Sequence, residues 1–133
     1  MASGKAHIGV LICNESLSEA KYAGYEQGDA NLLVVMSNDA WFENTPLQMH
    51  HFYITGIGAV MSGRDVVINS NRGIAGIVRR NGAIEAFPQS DTARVVKCTP
   101  RLSSSTTVYS HIRDFTIPLY AMLACLSIVI GRK

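Results

Sequence analysis

The chain has 133 residues, 12 Lys and Arg against 10 Asp and Glu, and a net charge of +2, one domain's worth of sequence without a strong electrostatic bias toward any partner. Its basic residues are scattered without interleaved aromatics, which argues against nucleic acid as a partner. The cysteines, Cys13, Cys98 and Cys125, have no CxxC spacing and no even count, so neither a zinc site nor a disulfide framework is indicated, and the first residues lack the apolar region of a secretion signal.

Residues 8–12, Ile-Gly-Val-Leu-Ile, form an uncharged apolar run that predicts a strand buried on both faces. Cys13 stands where that strand stops. Asn14, Glu15 and Ser16 offer side-chain acceptors to free backbone N–H groups, and Leu17, Ala20, Tyr22, Ala23 and Tyr25 recur at roughly helical spacing, so a helix should begin here. A thiol between a strand end and a helix start feels the positive end of the helix dipole, which favours thiolate. The plainer alternative is a small buried hydrophobe.

Gly28 is suited to a left-handed helix end, and residues 31–37 predict a second buried strand. Strand, helix and strand make a right-handed parallel unit, which brings Cys13 and the segment Asn38, Asp39, Ala40, Trp41, Phe42 to one edge of the sheet. Asn38 and Asp39 either shape a site there or merely cap the turn, and Trp41 either lines a pocket or packs in the core. Pro46 opens a helix running from Leu47 to about Ser62 and closing at Gly63, weakened in its middle by Gly56 and Gly58. His50 and His51 are adjacent on it and cannot both face one metal ion.

A third strand is expected over residues 65–69. Residues 73–78 and 84–87 flank Arg79, Arg80, Asn81 and Gly82, where Asn-Gly signals a hairpin. One more short strand is expected over 93–98, then a Ser- and Thr-rich connector over 100–107. Cys98 and Cys125 read as inert. Residues 115–131 carry no charge and precede Arg132 and Lys133; at 1.5 Å per residue they reach roughly 25 Å, which predicts a short transmembrane helix whose basic end is cytoplasmic.

Several segments together resemble a known family: Cys13, Glu15 and Ser16 after their apolar run; Ser37, Asn38, Asp39, Ala40, Trp41, Phe42; His51 and Phe52; Asn69 to Ile74; and Tyr109 with Asp114 before the apolar tail. The pattern is similar to the C-terminal part of the apolipoprotein N-acyltransferases, membrane members of the nitrilase (carbon–nitrogen hydrolase) superfamily. The resemblance runs from about Ile8 to Lys133. It implies an α/β fold, a partial nitrilase-like α-β-β-α sandwich over residues 1–107, followed by a juxtamembrane segment and a C-terminal transmembrane helix over 108–133.

The resemblance also implies an acyltransferase. Cys13 falls on the nucleophile that takes a fatty acyl chain from a phospholipid as a thioester and passes it to the N-terminal amine of a diacylglyceryl-cysteine lipoprotein. Glu15 falls on a supporting glutamate, Asn14, Asn38, Asp39, Trp41 and His51 on the substrate-binding surroundings, and the N–H after Cys13 on an oxyanion donor. No cofactor, metal or nucleic acid is implied. The expected setting is the bacterial inner membrane, with a monomeric domain on its outer side.

Departures accompany the likeness. Asn14 replaces the usual Tyr, His50 a Gln, and Gly56, Gly58 and Met61 stand where arginines and a glutamate are usual. The family's general-base glutamate and oxyanion-stabilising lysine lie upstream of the nucleophile, outside these residues, so the chain reads as a fragment inactive alone. A soluble amidase, or a membrane-anchored remnant without catalysis, are the alternative readings.

Overall fold

The computed structural model describes residues 4–87 and 92–131. Strands β1 (Ile8–Ile12), β2 (Leu32–Asn38), β3 (Val66–Asn71), β4 (Gly76–Val78) and β5 (Ile84–Ala86) form one sheet in that spatial order. β1, β2 and β3 are parallel, with Leu11 opposite Val35 and Val35 opposite Ile68; β4 and β5 run antiparallel. The crossovers are α1 (Glu19–Gln27) and α2 (Leu47–Ser62). The expected parallel unit is present, and so is the hairpin: Gly82 takes a φ of 84° and its N–H bonds to Arg79 O at 2.8 Å.

Both crossover helices serve one core. Leu11, Leu33, Val35, Val66 and Ile68 project from alternate strand positions and meet Tyr22 of α1 with Phe52 and Ala59 of α2. The other face is open at β1, where Ile8, Val10 and Ile12 are exposed. The expectation of a strand buried on both faces is therefore corrected. An apolar run records that burial is wanted, and only the packing partners decide which face receives it. Of the expected partial α-β-β-α sandwich, the described residues hold one mixed five-stranded sheet with its two crossover helices.

Other boundaries move. Cys13–Leu17 is a 3₁₀ turn and the α-helix begins only at Glu19. The left-handed residue after α1 is Asp29, with φ 62°, rather than Gly28. Residues 93–98 form no strand. The connector that follows is held by crossing contacts instead of a ladder: Arg79 donates to Thr99 O at 2.9 Å, Arg101 N to Asp65 Oδ2 at 2.8 Å, and Ser103 N to Asn31 O at 3.0 Å.

The transmembrane helix is also corrected. Thr107 caps α3 (Val108–Gly131), its hydroxyl accepting Ser110 N at 3.1 Å and donating to Met61 O at 2.7 Å. Among the described residues no helix is long and apolar enough to cross a membrane. The charge-free part of α3 is about 17 residues, roughly 25 Å against a hydrocarbon core of about 30 Å, and Pro118 lies inside it. The orientation drawn from Arg132 and Lys133, which lie outside the described residues, rested on that span and goes with it.

Gly58 explains why a glycine interrupts α2. A Cβ there would lie 2.1 Å from Cζ of Tyr22, whose phenol donates to Ser16 O at 3.0 Å. Burial pushes that phenol far above the usual tyrosine range. Alanine normally gains about 1 kcal/mol over glycine inside a helix. Here Gly58→Ala is expected to cost about 1–3 kcal/mol through overpacking. Urea unfolding should show the loss, and it should shrink in a Tyr22→Leu background.

Candidate active site

Cys13 lies at the C-terminal end of β1 with φ 50°, a left-handed conformation that a side chain adopts at a cost of about 1 kcal/mol or more. Its neighbours hold it there. Glu15 Oε2 accepts the Ile12 N–H at 3.0 Å, closing the turn back onto the strand, while Glu15 Oε1 lies 2.9 Å from Lys21 Nζ. The Lys21 hydrogen bond, then the Ile12 amide, hold this exposed carboxyl below its ordinary range. Glu15 therefore staples the turn that carries the thiol. It does not line the cleft.

The cleft at this sheet edge encloses about 1310 Å³. Cys13, Asn14, Asn38, Trp41, Asn71 and Arg94 are among the residues that line it. Parallel pairing of β1, β2 and β3 brings these strand ends together, as the crossover argument requires. Trp41 is 85% exposed, so it stands on the rim and belongs to no core. Asn38 Oδ1 accepts Ala40 N and Asn71 Nδ2, each at 3.2 Å, linking the ends of β2 and β3. Cys98 is half-buried and lines the same cleft, outside any strand.

Asp39 and His51 lie beneath this surface rather than on it, 3% and 9% exposed. Asp39 Oδ1 meets His51 Nδ1 at 2.9 Å, and its Oδ2 accepts the hydroxyls of Ser70 at 2.7 Å and Ser37 at 3.2 Å. A Cβ on Gly73 would come within 2.4 Å of the same oxygen, so this loop approaches the carboxylate only as glycine. His50 is exposed. Among the described residues no group of His, Cys, Asp and Glu is placed to hold a metal ion.

Sequence reasoning missed three supporting residues. Gln48 Nε2 donates to Asp39 O at 3.1 Å and also to Arg72 O, clamping the loops after β2 and β3. Ser16, expected as a helix-start acceptor and as part of the Cys13 segment but given no role at the site, is fully buried and bonded to Cys13 and His51. Thr55 donates to Ser16 Oγ at 3.1 Å. The available signal was spacing: Ser16 is three residues after Cys13, and Thr55 one helical turn after His51.

No family model matches the chain. The apolipoprotein N-acyltransferase of Gloeobacter violaceus is 30% identical over 122 residues, covering 92% of this chain and 23% of that protein. That of Geobacter metallireducens is 29% identical over 112 residues, 84% of this chain and 22% of that protein. That of Shewanella oneidensis is 38% identical over 79 residues, 57% of this chain and 15% of that protein. The chain thus spans about a fifth of the length of the curated relatives it matches.

Proposed function

This chain belongs to the apolipoprotein N-acyltransferase family over part of its relatives' length, and from that premise we propose that it is the nucleophile-bearing part of a lipid acyltransferase whose reacting atom is Cys13 Sγ. The observation that supports the reading most is a thiol held in a left-handed conformation at a strand end, opening on a large cleft. The thiolate attacks the ester carbonyl of a phospholipid acyl chain. The ester C–O bond breaks, the lysophospholipid leaves as the protonated alcohol, and a thioester remains on Cys13. The N-terminal amine of a diacylglyceryl-cysteine lipoprotein then attacks the thioester, the C–S bond breaks, and an amide forms. Substrates of this kind place the reaction at a membrane surface.

The cleft supports parts of this sequence. Met36 and Phe87 give it apolar wall beside the polar ends of Asn38 and Asn71, a combination suited to an acyl chain with a polar head. The N–H of Asn14 follows the nucleophile and serves as one donor to the tetrahedral oxyanion. A general-base glutamate and a lysine, which the resemblance puts upstream of the nucleophile, complete the site. Without them the 133 residues are expected to lose roughly 10² to 10⁴ in rate for each missing group.

The test is mass spectrometry of the Cys13 peptide from a chimera in which residues 8–131 replace the matching stretch of the Geobacter metallireducens enzyme, after incubation with phosphatidylethanolamine vesicles. We expect a mass increase of one fatty acyl chain, released by hydroxylamine and by a diacylglyceryl-cysteine peptide. An unmodified Cys13 in a folded, vesicle-bound chimera would overturn the acyltransferase reading and turn attention to small amides as substrates.

A further inference from the structure

A line of hydrogen bonds runs beneath the cleft from the end of β2, through α2, to the backbone of Cys13. Asp39 Oδ1 lies 2.9 Å from His51 Nδ1, His51 Nε2 lies 3.0 Å from Ser16 Oγ, and Ser16 Oγ donates to the Cys13 carbonyl at 2.8 Å. The order Ser, His, Asp is that of a hydrolase triad, but Ser16 is 1% exposed and cannot meet a substrate. The line must act through what it holds.

The protons can be assigned by counting. Ser16 has one hydroxyl hydrogen, and the Cys13 carbonyl, which only accepts, takes it. Thr55 Oγ1 donates to the same oxygen at 3.1 Å. His51 Nε2 is then the donor to Ser16, and Nδ1 faces Asp39, which already accepts from Ser37 and Ser70.

We propose that Asp39, His51 and Ser16 form a positioning relay that aims the Asn14 N–H at the oxyanion formed when Cys13 is acylated; the proposal rests on the acyl-transfer reading above. The Cys13–Asn14 peptide is trans, so its N–H points opposite to its carbonyl. The carbonyl is pinned inward on buried Ser16, so the N–H faces outward, to the side where Cys13 and Asn14 wall the cleft. Release of the carbonyl lets this peptide rotate, and a carbonyl oxygen turned into the cleft repels the oxyanion that the N–H would have stabilised. Asp39 and His51 are thus positioning residues, acting through Ser16 without touching substrate.

Two reagents separate positioning from general disruption. p-Nitrophenyl butyrate acylates a thiolate through a tetrahedral oxyanion: the S–C bond forms, the ester C–O bond breaks and p-nitrophenolate leaves. Iodoacetamide alkylates at a saturated carbon with loss of iodide and forms no oxyanion. Both modifications are read on the Cys13 peptide by mass spectrometry, apart from those of Cys98 and Cys125.

In Ser16→Ala and His51→Leu the acylation rate is expected to fall about tenfold or more while alkylation stays within about twofold. His51→Gln, which keeps a donor toward Ser16, should recover part of the loss. Parallel loss with both reagents, or no loss with either, would overturn the relay. These rates are measured in the chimera; if the unsubstituted chimera forms no thioester, the acyl-transfer reading fails instead, and the relay is then judged by hydrogen exchange of the Asn14 amide. Faster exchange in Ser16→Ala supports the relay, and unchanged exchange overturns it.

Discussion

Cys13→Ala in the chimera is expected to abolish the hydroxylamine-labile adduct and reduce lipoprotein acylation to background, a loss of about 10⁴ or more for removal of a nucleophile. Stability should move the other way or not at all. The thiol is only half-buried, so its removal leaves little cavity, whereas the φ of 50° is unfavourable for any residue with a Cβ. Cys13→Gly is therefore expected to lose activity equally and to raise the unfolding free energy by about 0.4–1 kcal/mol. Urea denaturation of the 133-residue chain measures that gain. A position where the inactive variant is the more stable one is held strained for its chemistry. A destabilised Cys13→Gly would instead identify the thiol as ordinary packing, the alternative open for this residue from sequence.

Legibility from sequence followed the physics of each element. The parallel unit, α2 with its left-handed Gly63 and the Asn81-Gly82 hairpin were readable because local rules decide them: periodicity, a glycine after a helix, a turn with obligatory positive φ. That the strand ends carrying Cys13, Asn38 and Trp41 share one cleft follows from crossover handedness alone. What failed depends on partners. Ile8, Val10 and Ile12 are as apolar as a doubly buried strand requires, yet their face stays exposed among the described residues, and α3 is apolar but too short in its charge-free part to span a bilayer. Residues 93–98 carry the Val-Val pair of a short strand, while the contacts that place the chain after them come from Arg79 and Asp65, far away in sequence. The line from Asp39 to Ser16 was invisible for the same reason: three ordinary polar residues gain meaning only when tertiary structure buries them together.

That dependence on distant partners is greatest at Asp65, where the largest stability effect is expected. Its carboxylate is 1% exposed and accepts from Arg79 Nη1 at 2.9 Å and from two backbone amides, Arg80 N at 3.1 Å and Arg101 N at 2.8 Å. The Asp65 hydrogen bond, with a further one to Glu85, raises Arg79 above its ordinary range, and a guanidinium stays charged with or without a partner. Asp65→Ala thus leaves two amide donors without their acceptor at the corner where β3, the hairpin and the 99–101 connector meet, while Arg79 keeps Glu85 and Thr99 O. Each donor left without its acceptor costs about 1–3 kcal/mol, together a large share of the 5–15 kcal/mol typical of a domain. Urea unfolding of the 133-residue chain should show it as a lower midpoint. Asp65→Asn, which keeps one acceptor oxygen but loses the charge, should fall between. Because the carboxylate reaches both sides of the corner, hydrogen exchange at Arg80 and Arg101 should accelerate together. Acceleration at only one amide would mean that the connector docks independently of the hairpin, and that Asp65 belongs to one of them alone.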